Sequence, residues 1–62
     1  MENTELITLR DMAYQKYPDE DIQIKRLAVP EGIRYYLCLM RGDDVRFVLA
    51  SGTNYKEMSL QL

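Results

Sequence analysis

Three glycines spaced ten residues apart constrain the fold of this chain more than any other feature of its sequence. They are Gly32, Gly42 and Gly52, and each lies in a cluster of turn-forming residues. Short segments rich in β-branched, aromatic and other apolar residues, separated by turns about every ten residues, are typical of antiparallel hairpins. The pattern therefore predicts a meander of four strands over residues 22–29, 33–40, 45–50 and 55–62.

The segment before the first predicted strand has the period of an amphipathic helix. Across residues 4–17 the apolar side chains recur at three- and four-residue intervals, which places them on one stripe. The stripe comprises Leu6, Leu9, Ala13 and Tyr17. Asn3 or Thr4 can act as N-cap. Pro18 ends the helix, because the residue before a proline is disfavoured in the α region.

Two-residue loops at Gly42-Asp43 and Gly52-Thr53 set the predicted register of the last three strands. Cys38 then lies opposite Phe47, Tyr36 lies opposite Leu49, and Phe47 lies opposite Met58. These side chains share an apolar face that we expect to pack on the helix, with Phe47 in the core.

The first strand has a less regular pattern. Ile22 and Ile24 are in one phase of the alternation, whereas Leu27 and Val29 are in the other. This change of phase indicates a bulge near Lys25-Arg26.

The predicted fold class is α+β, with an N-terminal amphipathic helix packed on a four-stranded antiparallel β-meander. We expect a single domain over residues 1–62, because folding units are rarely much smaller. A small barrel of the Sm or SH3 kind is the alternative, since a helix followed by short strands also fits it. With one cysteine and no histidine, no disulfide can form within the chain and a classical zinc site is not expected, which leaves self-association or a partner to stabilise it.

The second face of the predicted sheet is the candidate partner-binding surface. Its residues are Tyr35, Leu37, Leu39, Arg41, Arg46 and Val48. Tyrosine and arginine are enriched at interface hot spots, and isolated proteins seldom expose large apolar patches. Burial of this patch against the first strand or the N-terminus is the alternative.

A second candidate is the acidic run Asp19, Glu20 and Asp21 between the helix and the first strand. Carboxylates here could contact a basic partner or form a weak divalent-cation site. The alternative is a solvated link without a ligand.

Groups suited to catalysis are scarce in this sequence. There is no histidine, and Cys38 lies in the middle of a predicted strand without an activating base. Glycines placed one per turn do not form a phosphate-binding loop. We therefore expect no enzymatic activity, no cofactor and no metal.

Charge and hydropathy narrow the choice of partner. The net charge is −2 and the cationic residues are interspersed with acidic ones, so nucleic acid is an unlikely ligand. No apolar run is long enough to span a bilayer. The acidic, polar N-terminus does not resemble a signal peptide, so a cytoplasmic location is expected.

These observations predict a small protein-binding module that acts as a regulator or inhibitor by occupying a partner's surface. Phages and mobile elements often encode short accessory chains of this kind, including inhibitors of bacterial defence systems of the anti-CRISPR class. The expected partner is a larger protein, a second copy of the chain, or both. The alternative is a nucleic-acid-associated or homo-oligomeric structural protein.

Overall fold

The computed structural model of the protein describes residues 1–62 and contains two helices and three strands. In chain order the elements are α1 (Asn3–Lys16), β1 (Asp21–Val29), β2 (Gly32–Arg41), β3 (Asp44–Gly52) and α2 (Tyr55–Ser59). The strands form one antiparallel sheet in the order β1-β2-β3. This confirms the predicted α+β class with an N-terminal helix and an antiparallel sheet.

Helix α1 has the predicted buried stripe but different ends. Its N-cap is Glu2, whose N–H donates to the Glu5 carboxylate at 3.2 Å. Tyr17 is the C-cap and has a non-helical φ of −131°, so it leaves the stripe and lies 39 % exposed. The buried members of the stripe are Leu6, Leu9 and Ala13.

The predicted fourth strand is wrong, because α2 occupies the start of that segment. The Asn54 Oδ1 accepts a hydrogen bond from the Glu57 N–H at 2.8 Å, which caps the helix. An Asn followed three residues later by Glu is a helix start signal, and here it overrides the β propensity of Tyr55. The barrel alternative is not confirmed either, since the sheet has only three strands.

The sheet packs on α1 through the face opposite to the one predicted. The buried cluster consists of Leu6, Leu9, Ala13, Ile22, Tyr35, Leu37, Leu39, Ala50 and Met58. The pairing of β1 explains this choice of face: Ile22 and Ile24 lie opposite Leu39 and Leu37. On the other face, by contrast, polar Gln23 and Lys25 lie opposite Cys38 and Tyr36. The regular β1–β2 register contains no bulge, so the one predicted near Lys25-Arg26 is wrong.

The first of two register shifts in the β2–β3 pairing displaces Phe47 from its predicted place opposite Cys38. The Gly42-Asp43 loop is as expected, with Met40 opposite Val45, but one shift follows between Leu39 and Met40 and another between Leu37 and Cys38. Phe47 therefore lies opposite Leu39 rather than Cys38. A shift of one residue moves a side chain to the other face of the sheet.

The first hairpin depends on one glycine. Gly32 follows the Pro30-Glu31 loop with a φ of +136°, which L side chains rarely adopt. Its surroundings are open, so a Cβ there would meet no neighbouring atom. We expect Gly32→Ala to lower the free energy of unfolding by about 1–3 kcal/mol through backbone strain alone. Denaturant unfolding monitored by circular dichroism measures the loss.

Gly42→Asn is the matched control for that prediction. Gly42 has a φ of +61°, in the left-handed region that asparagine tolerates. The asparagine variant should therefore lose less stability than Gly32→Ala. Equal stability of Gly32→Ala and the parent chain would contradict the need for glycine at the first hairpin.

Candidate partner-binding site

Half of the predicted partner-binding surface lies in the core. Tyr35, Leu37 and Leu39 are at most 6 % exposed and pack against α1. The prediction that they form an open face is wrong, because the Ile22 and Ile24 side of the sheet is the side that α1 covers. In the folded chain these three side chains are not available as the anchors of an interface.

The other three predicted residues, Arg41, Arg46 and Val48, lie on the surface. Arg41 is at the end of β2, paired with Asp44 beside the hairpin loop. Arg46 and Val48 belong to β3, where the register shifts leave Arg46 without a partner across the strand pair.

The acidic run Asp19, Glu20 and Asp21 is exposed throughout. No group of three or more His, Cys, Asp or Glu side chains in the structure could hold a metal ion. Of these three residues, Glu20 lines a groove, described next.

A groove of about 470 Å³ opens between the end of α1 and β3, and we call it the Phe47 groove. Tyr17 and Glu20 line it from the side of α1, and Leu39 of β2 contributes to its base. Residues 46–49 of β3 complete the lining. The groove therefore brings together four of the residues predicted from the sequence to bind a partner, namely Glu20, Leu39, Arg46 and Val48.

Local chain geometry accounts for the groove. Pro18 ends α1, so the helix does not extend over the start of β3. The register shift between Leu39 and Met40 turns Phe47 to the same side of the sheet as α1, where it remains 58 % exposed. Val48 is 52 % exposed on the other side of the strand.

The chemistry of the Phe47 groove suits a protein ligand. The Arg46 guanidinium carbon lies 5.7 Å from the centroid of the Phe47 ring, an arrangement that favours cation–π attraction. Arg46 and Glu20 add one cationic and one acidic group to a mainly apolar lining. An aromatic ring beside an arginine is the composition found at interface hot spots.

The Cys38 thiol is not placed to act as a nucleophile. It is 2 % exposed, and its Sγ donates to the Tyr36 carbonyl at 3.6 Å. Burial raises the pKa of the Cys38 thiol, and nearby Lys25 partly offsets this effect. The thiolate that nucleophilic chemistry requires is therefore disfavoured at neutral pH.

Sequence reasoning assigned Tyr17, Phe47 and Leu49 to the core, and therefore missed their place in the groove. The position of Tyr17 carries a usable signal: a residue directly before a proline leaves the helical geometry. Phe47 and Leu49 carry none, because the two register shifts depend on how β3 fits against β2.

No protein-family model, curated protein or solved structure matches this chain. Neither helix is long and apolar enough to cross a membrane.

Proposed function

We propose that this chain is a protein-binding module that regulates or inhibits a larger protein by occupying part of its surface. The observation that carries the proposal is the Phe47 groove. Phe47 is the only phenylalanine of the chain, and it is held out of the core beside Arg46. An exposed aromatic side chain adjoining an apolar groove is a suitable anchor for a partner.

The residues outside the groove support a binding role over a catalytic one. The chain has no histidine, and its one thiol is buried and protonated at neutral pH.

The single phenylalanine permits a direct test of the groove. Biosynthetic incorporation of 4-fluorophenylalanine gives one fluorine resonance, which reports on Phe47 alone. A partner is first captured from native lysate with the purified chain. We expect the resonance to shift or broaden when the purified partner is added, and Phe47→Ala to weaken binding by about tenfold or more.

Ile33→Ala is the matched control for Phe47→Ala. Ile33 is 49 % exposed but lies at the β1–β2 hairpin, away from the groove. Its truncation should change the affinity by less than about threefold. A partner bound equally well by Phe47→Ala, with an unchanged fluorine resonance, would contradict the proposal. Loss of a homodimer on Phe47→Ala would instead identify a second copy as the ligand.

A further inference from the structure

The two edge strands of the sheet differ in how far their backbone is protected from pairing with another strand. On β3, the Gln61 side chain pairs with the outward backbone groups of Ser51: Nε2 donates to the Ser51 carbonyl at 2.7 Å, and Oε1 accepts from its N–H at 3.0 Å. The unpaired residues Arg46 and Leu49 also interrupt this strand. Bulges and side-chain caps of this kind prevent another strand from pairing with an edge.

The β1 edge is regular and is capped at one end only. Its pairing with β2 runs through all nine residues without a shift. At Ile22, the Tyr14 hydroxyl donates to the carbonyl at 3.4 Å and accepts from the N–H at 3.3 Å. Backbone groups alternate in direction along an antiparallel strand, so those of Ile24, Arg26 and Ala28 also point outward. No side chain of the protein caps these three residues.

A second groove, of about 430 Å³, follows this open edge between β1 and α1, and we call it the β1-edge groove. Leu6 and Ile7 of α1 and Ile22 and Ile24 of β1 form its apolar part. Ile7 is 49 % exposed here. Unpaired backbone groups therefore adjoin apolar side chains, the combination that an added strand requires.

The charge of the β1-edge groove is positive although the whole chain is acidic. Arg10 projects into its lining from α1 and Arg26 from β1, and no carboxylate lines it. The Arg26 guanidinium carbon lies 5.9 Å from the centroid of the Tyr35 ring, its neighbour across the strand pair. Two arginines without a lining carboxylate complement an acidic ligand.

We propose that the β1-edge groove binds an extended acidic segment of a partner protein, which adds to the sheet as a strand beside β1. The backbone of Ile24, Arg26 and Ala28 would bond to the backbone of the segment. Alternate side chains would enter the apolar part, and carboxylates would pair with Arg10 and Arg26. This site lies apart from the Phe47 groove and extends the proposed function to a second ligand class.

Pairing of this edge with a second copy is disfavoured about residues 24, 25 and 26, whereas pairing about Leu27 is distinguished by the oligomeric state in solution. Antiparallel pairing of two β1 strands about residue 25 or 26 would place Lys25 or Arg26 opposite its own copy. Like charges directly opposite one another destabilise a strand pair. Pairing about residue 24 would instead require the backbone groups of Ile22, which Tyr14 already occupies.

Selection of random linear peptides displayed on phage, with the full chain as bait, tests the proposal. We expect the selected peptides to be enriched in aspartate and glutamate among β-branched residues. A selected peptide, made synthetically, should bind at least about tenfold more weakly to Arg26→Glu. Lys56→Glu makes the same charge change on exposed α2 and should alter the affinity by less than about twofold.

Two further measurements identify strand addition itself. N-methylation of each peptide amide in turn should weaken binding at alternate positions, because only every second N–H faces β1. Ala28→Pro removes one outward N–H and keeps the bonds to β2, so it should weaken binding while the chain stays folded. Circular dichroism melting of each variant verifies the fold.

Three outcomes would overturn the proposal. One is the absence of acidic enrichment among the selected peptides. The second is binding that is insensitive to Arg26→Glu and Ala28→Pro but lost in Phe47→Ala, which would assign the ligand to the Phe47 groove. The third is a homodimer in solution that Ala28→Pro dissociates, which would make a second copy the occupant of the edge.

Discussion

Leu37→Ala should lower the free energy of unfolding by about 2–5 kcal/mol. Leu37 is fully buried in the centre of β2 and belongs to the cluster between the sheet and α1. Its truncation removes apolar contacts and leaves a cavity. A chain of this size has a total stability of about 3–9 kcal/mol, so this loss removes a large fraction of it. Urea unfolding followed by far-ultraviolet circular dichroism measures the change.

Phe47→Ala is the control. The sequence predicts Phe47 in the core and Leu37 on the exposed face, whereas the structure has Leu37 in the core and Phe47 on the surface. Phe47 is 58 % exposed, and its truncation should cost less than about 1 kcal/mol. If Phe47→Ala unfolded the chain and Leu37→Ala did not, the assignment of Leu37 to the core and of Phe47 to the surface would be wrong. The pair therefore decides which of the two side chains, Leu37 or Phe47, belongs to the core.

The Cys38 thiol should react with a thiol reagent about a hundredfold or more slowly in the native chain than in urea. Labelling requires exposure of a side chain that is 2 % accessible, and burial raises the pKa of the Cys38 thiol. Its rate should then follow the small population of opened molecules. Labelling with 5,5′-dithiobis(2-nitrobenzoic acid), followed by absorbance, gives both rates.

The raised pKa of Cys38 also predicts a dependence of stability on pH. The unfolded chain loses the thiol proton at a lower pH than the folded chain. The contribution of Cys38 to the free energy of unfolding is therefore complete below the ordinary thiol pKa. It declines as the pH rises through the folded pKa. Cys38→Ala lacks this decline and serves as the control. Rapid labelling of the native thiol, or parallel pH profiles of parent and variant, would show that Cys38 is accessible to solvent.

Local sequence signals determined the elements that depend on neighbours along the chain. The period of the apolar residues and Pro18 fixed α1 closely, and Gly42-Asp43 fixed the second hairpin loop. The Asn54 to Glu57 spacing was also a local signal, and it defines α2 where a strand was predicted.

The face of the sheet that becomes the core was decided by contacts between strands. Leu37 and Cys38 are both apolar neighbours on β2, so β2 alone cannot choose a side. The choice follows from β1, which places Ile24 opposite Leu37 and Gln23 opposite Cys38. The Phe47 groove likewise depends on the two register shifts in the pairing of β3 with β2. Successive side chains along a strand point to opposite sides of the sheet, so each strand has two faces. Only the packing of all three strands against α1 determines which face is buried.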